Sequence, residues 1–133
     1  MIEKLKQIAV NAAKVSYAPY SKCCVGAALL CKNGEVFSGC NIENASFSLT
    51  NCAERTAFFK AISSGQKDFS EILIVTLKDG EILENSFAHC GACRQVMREF
   101  CSDDFKIHVL SKNSLKTFTL GELLPQSFSP ENF

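Results

Sequence analysis

Cys52-Ala53-Glu54-Arg55 and, further along the chain, Cys90-Gly91-Ala92-Cys93 bring three potential thiolate ligands and one carboxylate into a pattern that metal chemistry can use. A structural zinc site closes its tetrahedron with four protein ligands, whereas a catalytic one uses three and leaves the last corner to water. Cys52, Cys90 and Cys93 supply three. Glu54 lies too close in sequence to Cys52 to be a comfortable fourth, but it can lean over the open corner and carry protons to and from water there. The pattern predicts a catalytic zinc with Glu54 as the proton carrier.

Three thiolates on one divalent cation leave a net negative cluster, which opposes ionisation of a water whose pKa zinc must bring toward about 7. Arg55, next to the Cys52 and Glu54 pair, is the natural donor to the sulfurs, with Arg94 a weaker one. Alone, Glu54 would read as a helix N-terminal carboxylate worth under about 1 kcal/mol, and Arg55 as a solvated surface arginine. Their place between the cysteines favours chemistry for both. A redox pair at Cys90 and Cys93 is a competing reading, but it leaves Cys52-Ala53-Glu54 unexplained. A closed four-ligand site recruiting His89 or Cys101 is another, and His89 directly precedes a ligand, which makes its geometry awkward. His108 reads as a packed or edge residue of a strand.

Hydrophobic periodicity supplies the elements that must position these groups. Ile2, Leu5, Ile8, Ala9, Ala12 and Val15 recur at helical spacing, and Pro19 biases Ala18 out of the helical region. Val25 to Cys31 and Glu35 to Asn41 flank Asn33-Gly34, so they predict two antiparallel strands joined by a tight turn. Cys52 to Ser64 predicts a helix ending at Gly65, and Ile72 to Leu77 a strand buried on both faces. Gly91 to Phe100 is a second internal helix, Lys106 to Leu110 another strand, and Thr119 to Leu124 a last helical turn or two before Pro125. A further strand near Thr117 is compatible with the pattern.

This order implies a sheet with helices on its faces, its late strands parallel and joined by right-handed crossovers. Cys52 and the Cys90/Cys93 pair fall at helix starts, where the dipole and free N–H groups stabilise a deprotonated sulfur.

Bulk properties narrow the class. A chain of 133 residues, 47% hydrophobic, suits one domain that buries roughly two-thirds of its unfolded surface. Residues 1–133 are therefore read as a single domain. Lys+Arg and Asp+Glu both number 14, which advertises no phosphate-backbone binding and hence no nucleic-acid partner. No apolar run approaches the roughly 20 residues of a bilayer span, so no membrane partner is expected. Eight cysteines with no signal peptide point to reduced thiols in the cytoplasm, and the five outside the metal pattern read as small core-filling residues.

At this point the sequence resembles the small cytidine deaminases that act on free pyrimidine nucleosides. The likeness runs through Tyr17-Ala18-Pro19-Tyr20-Ser21, Val25-Gly26-Ala27-Ala28-Leu29-Leu30 and Gly39-Cys40-Asn41-Ile42-Glu43-Asn44-Ala45-Ser46. It continues through Cys52-Ala53-Glu54-Arg55-Thr56-Ala57, Cys90-Gly91-Ala92-Cys93-Arg94-Gln95 and Glu122-Leu123-Leu124-Pro125.

The resemblance implies an α/β domain of three layers, α/β/α, around a mixed five-stranded sheet. It further implies a homotetramer with sites shared between subunits, and one zinc per subunit on Cys52, Cys90 and Cys93. Glu54 matches the proton shuttle of hydrolytic deamination, with cytidine and 2′-deoxycytidine as substrates. Asn41 and Glu43 match the pair that holds the ribose hydroxyls. Backbone groups near Ala53 and Cys90 match those that orient the base, and Phe128 an aromatic that stacks on it from another subunit. Cys23 stands where the family usually has phenylalanine, Phe47 where tyrosine is frequent, and His89 where proline is usual. Two alternatives accompany this reading. One is a deaminase of a nucleoside antibiotic or other aminopyrimidine nucleoside, and the other is a zinc-stabilised binding module without turnover.

Overall fold

A computed structural model describes residues 1–86 and 90–133 of the chain. Helix α1 spans Ile2–Lys14 and buries Leu5, Ala9 and Ala12 of the expected stripe together with Ala13, while Val15, at the C-cap, is exposed. Strands β1 (Cys23–Cys31) and β2 (Val36–Cys40) follow as an antiparallel hairpin. Helix α2 (Ala53–Ser63) leads to the long strand β3 (Phe69–Lys78) and to a two-residue strand β4 (Glu81–Ile82). Helix α3 (Gly91–Phe100), strands β5 (Lys106–Leu110) and β6 (Leu115–Thr119), and the short helix α4 (Leu120–Leu123) complete the order.

The sheet runs β2-β1-β3-β5-β6, with β4 attached to the end of β3. Only the β3 and β5 pair is parallel, and α3 connects it, as the helix-linked order predicts. The strand near Thr117 is β6, antiparallel to β5. Five strands form the path, and β4 is an addition that the periodicity did not suggest.

Alternation along β1 and β3 divides the core. Ala28, Leu30, Leu73 and Val75 meet Leu5, Ala9 and Ala13 of α1 on one face. Ala27, Leu29, Ile72 and Ile74 meet Ala57, Phe58 and Ala61 of α2, with Met97 of α3, on the other. The result is three layers, α/β/α. Phe58 is fully buried and meets Phe69 edge-on at 4.9 Å, so truncating it to alanine would cost about 3–5 kcal/mol.

Two glycines set how closely the helices approach. A Cβ on Gly26 would lie 1.9 Å from the Ala9 carbonyl oxygen of α1, and one on Gly39 would lie 2.4 Å from that of Ala53 in α2. Neither position accepts a side chain without displacing its helix.

The turns correct one expectation and add another. At Asn33-Gly34 only Gly34 has positive φ (95°), and the Cys31 to Glu35 closure makes a three-residue loop in place of the tighter one expected. Asp79 and Gly80, at φ 54° and 78°, form the two-residue turn between β3 and β4. Asp79-Gly80 is the residue pair that such a turn favours. No helix among the described residues is long and apolar enough to cross a membrane.

Candidate metal centre and adjoining cavity

Cys52 is the N-cap of α2 and Cys90 the N-cap of α3, both in extended backbone, while Cys93 lies in the first turn of α3. The two helices share one face of the sheet, so their N-termini bring together sulfurs distant in sequence. Cys52 Sγ is 3.8 Å from Cys90 Sγ, Cys90 Sγ is 3.1 Å from Cys93 Sγ, and all three lie within 4.8 Å of one another. Zinc–sulfur bonds of about 2.3 Å in a tetrahedron set sulfurs about 3.8 Å apart, so the trio fits zinc with a small opening of the Cys90 and Cys93 pair. Among the described residues this is the one such cluster; Cys101 is not part of it. His89 lies outside the described residues.

The electrostatics favour ionisation of one of the three thiols, Cys52. A hydrogen bond from the Cys93 thiol brings Cys52 down to about 6, helped by Arg55, whose Nη2 donates to Cys52 Sγ at 3.4 Å. Burial and the Glu54 charge oppose that shift. Cys93 is held well above the ordinary thiol range, first by its bond to Cys52 and then by burial. Arg94 does not reach the sulfurs; its Nη1 donates to the Leu123 carbonyl at 2.8 Å. Of the remaining cysteines only Cys31 is fully buried, while Cys23, Cys24, Cys40 and Cys101 are half-buried. Burial pushes the Cys101 thiol up to about 12.

A cavity of about 230 Å³ opens beside the cluster, lined by Cys52, Ala53, Glu54 and Cys90 on the helix side and by Cys23, Val25, Asn41 and Thr76 on the strand side. Glu54, in the first turn of α2, is only 5% exposed. Two larger depressions, about 680 and 450 Å³, lie at the far ends of α3 and β3. Neither contains the cysteine cluster.

Asn41 and Glu43 are both buried, but they do different things. Asn41 lines the cavity and clamps β1, with Oδ1 accepting from Val25 N at 2.8 Å and Nδ2 donating to the Cys23 carbonyl at 2.9 Å. Glu43 is not among the lining residues. Its Oε1 accepts from the backbone N–H groups of Tyr20 and Ser21, and its Oε2 from the Ser21 hydroxyl at 2.5 Å. The Ser21 hydroxyl, then these two N–H groups, hold its carboxyl below the usual range.

Phe128 stands away from the cavity of its own chain. It is 62% exposed, its ring is edge-on to Phe133 at 5.5 Å, and Gln95 Nε2 donates to its carbonyl at 2.8 Å. Phe47 is exposed in a short 3-10 turn and does not line the cavity either, whereas Cys23 does. Sequence reasoning missed Ser21, Thr50 and Thr76 as lining residues. Thr76 had a signal, being a polar residue in a strand otherwise read as wholly apolar.

The chain matches the family described as "Cytidine and deoxycytidylate deaminase zinc-binding region" over residues 1–109. It is 44% identical over 132 residues to a cytidine deaminase of Sporosarcina psychrophila, covering 98% of this chain and 93% of that one. A cytidine deaminase of Halalkalibacterium halodurans is 46% identical over 125 residues, covering 93% and 91%. The crystal structure of cytidine deaminase from Burkholderia pseudomallei superposes with a TM-score of 0.86 at 39% identity, covering 96% of this chain and 99% of that one. With the three-cysteine cluster at two helix N-termini and these full-length likenesses, the chain belongs to the zinc-binding cytidine and deoxycytidylate deaminase family.

Proposed function

We propose that this protein is a zinc-dependent hydrolase that converts cytidine and 2′-deoxycytidine to uridine and 2′-deoxyuridine, with water consumed and ammonia released. The observation that carries it is the buried Glu54 carboxylate in the same small cavity as the cysteine cluster. A metal held only for stability needs no buried acid beside it.

Zinc, when held by Cys52, Cys90 and Cys93, supplies a Lewis acid that makes water nucleophilic near neutral pH. Glu54 moves the proton, first to the ring nitrogen N3 and then to the departing amine. Arg55 draws charge from the thiolates through its contact with Cys52. Asn41 and Glu43 serve the ribose end, and backbone groups at Ala53 and Cys90 set the orientation of the base. Phe128, absent from its own cavity and exposed, serves a neighbouring copy, and the working form, as the family resemblance implies, is a homotetramer with one zinc per subunit. Residues 1–133 act as one domain, and the thiol-dependent site belongs in the reducing cytoplasm.

Ammonia release from cytidine by zinc-loaded protein tests this reading beside Glu54→Gln at matched metal content. The parent should turn over and the variant should lose roughly 10²–10⁴ in rate, about 3–5 kcal/mol of barrier. A zinc-loaded, folded parent without turnover on any aminopyrimidine nucleoside would point to the binding module instead. Turnover confined to another such nucleoside would move the substrate and keep the chemistry.

A further inference from the structure

Thr76 is the one polar residue in the apolar run from Ile72 to Leu77 of β3, and it is buried, at 4% exposed. Strand alternation puts it on the face of Ile72 and Ile74, toward α2, and its partner across the ladder is Val25 of β1. Val25, Ile74 and Thr76 form the floor that the sheet gives to the cavity. Valine has the same shape and suits a strand equally well, so packing does not ask for a hydroxyl here.

The hydroxyls around the cavity differ in what they already hold. Ser21 donates to Glu43, and Thr50 accepts from Asn44 N at 3.1 Å. Among the described residues the Thr76 hydroxyl has no hydrogen-bond partner, although it lines the same space. A buried hydroxyl left unpaired carries a desolvation cost that a bound group can relieve.

The groups already assigned say which part of a nucleoside lies against it. In the reading above Glu54 serves N3 and the backbone at Ala53 orients the base, so the N3 and C2 edge of the ring faces α2. The opposite edge, C5 and C6, faces the strands. Asn41, at the ribose end, clamps β1 from one flank through Val25 N and the Cys23 carbonyl, whereas Thr76 pairs with Val25 from the other flank. Thr76 therefore lies away from the ribose, against C5, the ring atom next to the reacting C4. Cytidine offers only C–H groups on this edge, which are poor partners for a hydroxyl. The side chains beside Thr76 are short, with Val25 opposite and Cys23 on the diagonal, so space remains there for a substituent.

We propose that Thr76 is a specificity-determining residue that extends the substrate range to cytosine nucleosides with a hydroxylated substituent on C5, by hydrogen-bonding that substituent. This rests on the nucleoside reading above. The simplest such substrate is 5-hydroxymethylcytidine. Its reaction is the same hydrolysis: water adds at C4, the C4–N bond breaks, and ammonia leaves to give 5-hydroxymethyluridine.

The test is the ratio of kcat/KM for 5-hydroxymethylcytidine to that for 5-methylcytidine in the zinc-loaded parent, Thr76→Val and Thr76→Ser. The two nucleosides differ by one oxygen, and a ratio taken within one enzyme does not depend on its zinc loading or folded fraction. The parent should favour the hydroxymethyl compound by about tenfold, Thr76→Val should lower the ratio about tenfold, and Thr76→Ser, which keeps the hydroxyl, should retain most of it. A parental ratio at or below one would overturn the proposal, as would a parent that turns over cytidine but not 5-hydroxymethylcytidine. A ratio unmoved by Thr76→Val would also overturn it, because the hydroxyl would then serve a group common to both nucleosides, such as the C4 amine. Ammonia release from cytidine judges the enzymatic reading separately. If none is seen, titrations with 5-hydroxymethyluridine and 5-methyluridine put the same ratio, now of Kd values, to the parent and Thr76→Val, with a parental preference at or below one or an unmoved ratio again refuting.

Discussion

Gly39→Ala should disable the site without replacing any residue that lines it. Gly39 sits in β2 under the first turns of α2, and an added Cβ would fall 2.4 Å from Ala53 O and 2.5 Å from Ala57 N. Both are backbone atoms of a helix, so no side chain can swing aside. Restoring an ordinary carbon–oxygen contact of about 3.3 Å requires α2 to lift by about 1 Å at that point. Ala53 lies directly between Cys52 and Glu54, so the lift falls on the proposed metal ligand and the proposed proton carrier together. Overpacking of this kind costs about 1–3 kcal/mol, and a misplacement of about 1 Å costs on the order of 10² in rate. Gly26→Ala is the matched control, because it crowds α1 even more tightly, at 1.9 Å from Ala9 O, and α1 carries no residue of the site. Thermal midpoints, zinc per chain and kcat on cytidine would be measured for both. Each variant should lose stability, but only Gly39→Ala should lose about a hundredfold in kcat per folded molecule. Parental kcat and zinc content in Gly39→Ala, or equal losses in both variants, would refute the reasoning.

Two further substitutions probe the electrostatics and the fit. Arg55→Ala removes the donor 3.4 Å from Cys52 Sγ, so it should retain zinc by metal analysis while kcat falls about tenfold; unchanged turnover at saturating substrate would discard its charge-balancing role. Cys23→Phe fills the strand-side wall of the cavity and should lower KM for cytidine by a few-fold, about 1 kcal/mol of added contact, whereas a raised KM would show that the pocket is already filled.

The three-cysteine cluster was readable from sequence because metal chemistry demands particular residue types at helix starts, and the structure places Cys52, Cys90 and Cys93 there. The sheet was readable where burial left an unbroken apolar run, as in Ile72 to Leu77. β6 was harder, since Leu115 to Thr119 carries an exposed lysine and threonine at its centre. β4 was missed because two residues are too few to show a period. The strand-side wall of the cavity and its surroundings were only half legible. Asn41 and Glu43 stand out by type, yet nothing in their spacing says that Glu43 turns its carboxylate back onto Tyr20 and Ser21. Likewise the neighbouring Cys52 and Glu54 put Arg55 ahead of Arg94 as a donor to the sulfurs, and the contacts agree with that order, but only the packing of α4 against α3 shows Arg94 committed to Leu123.

The separation of Cys52 from Cys90, 38 residues in sequence and 3.8 Å in space, has a meaning for the unfolded chain. An ion spanning them ties a loop of that length. By the chain-entropy relation used for cross-links, this removes about 4 kcal/mol of configurational freedom from the denatured ensemble. The tied loop encloses β3, the strand that pairs with β1, β4 and β5. A bound ion would thus work as a reversible staple around the middle of the sheet, and its chelation would speed amide exchange in β3 before it reaches the peripheral β2 hairpin.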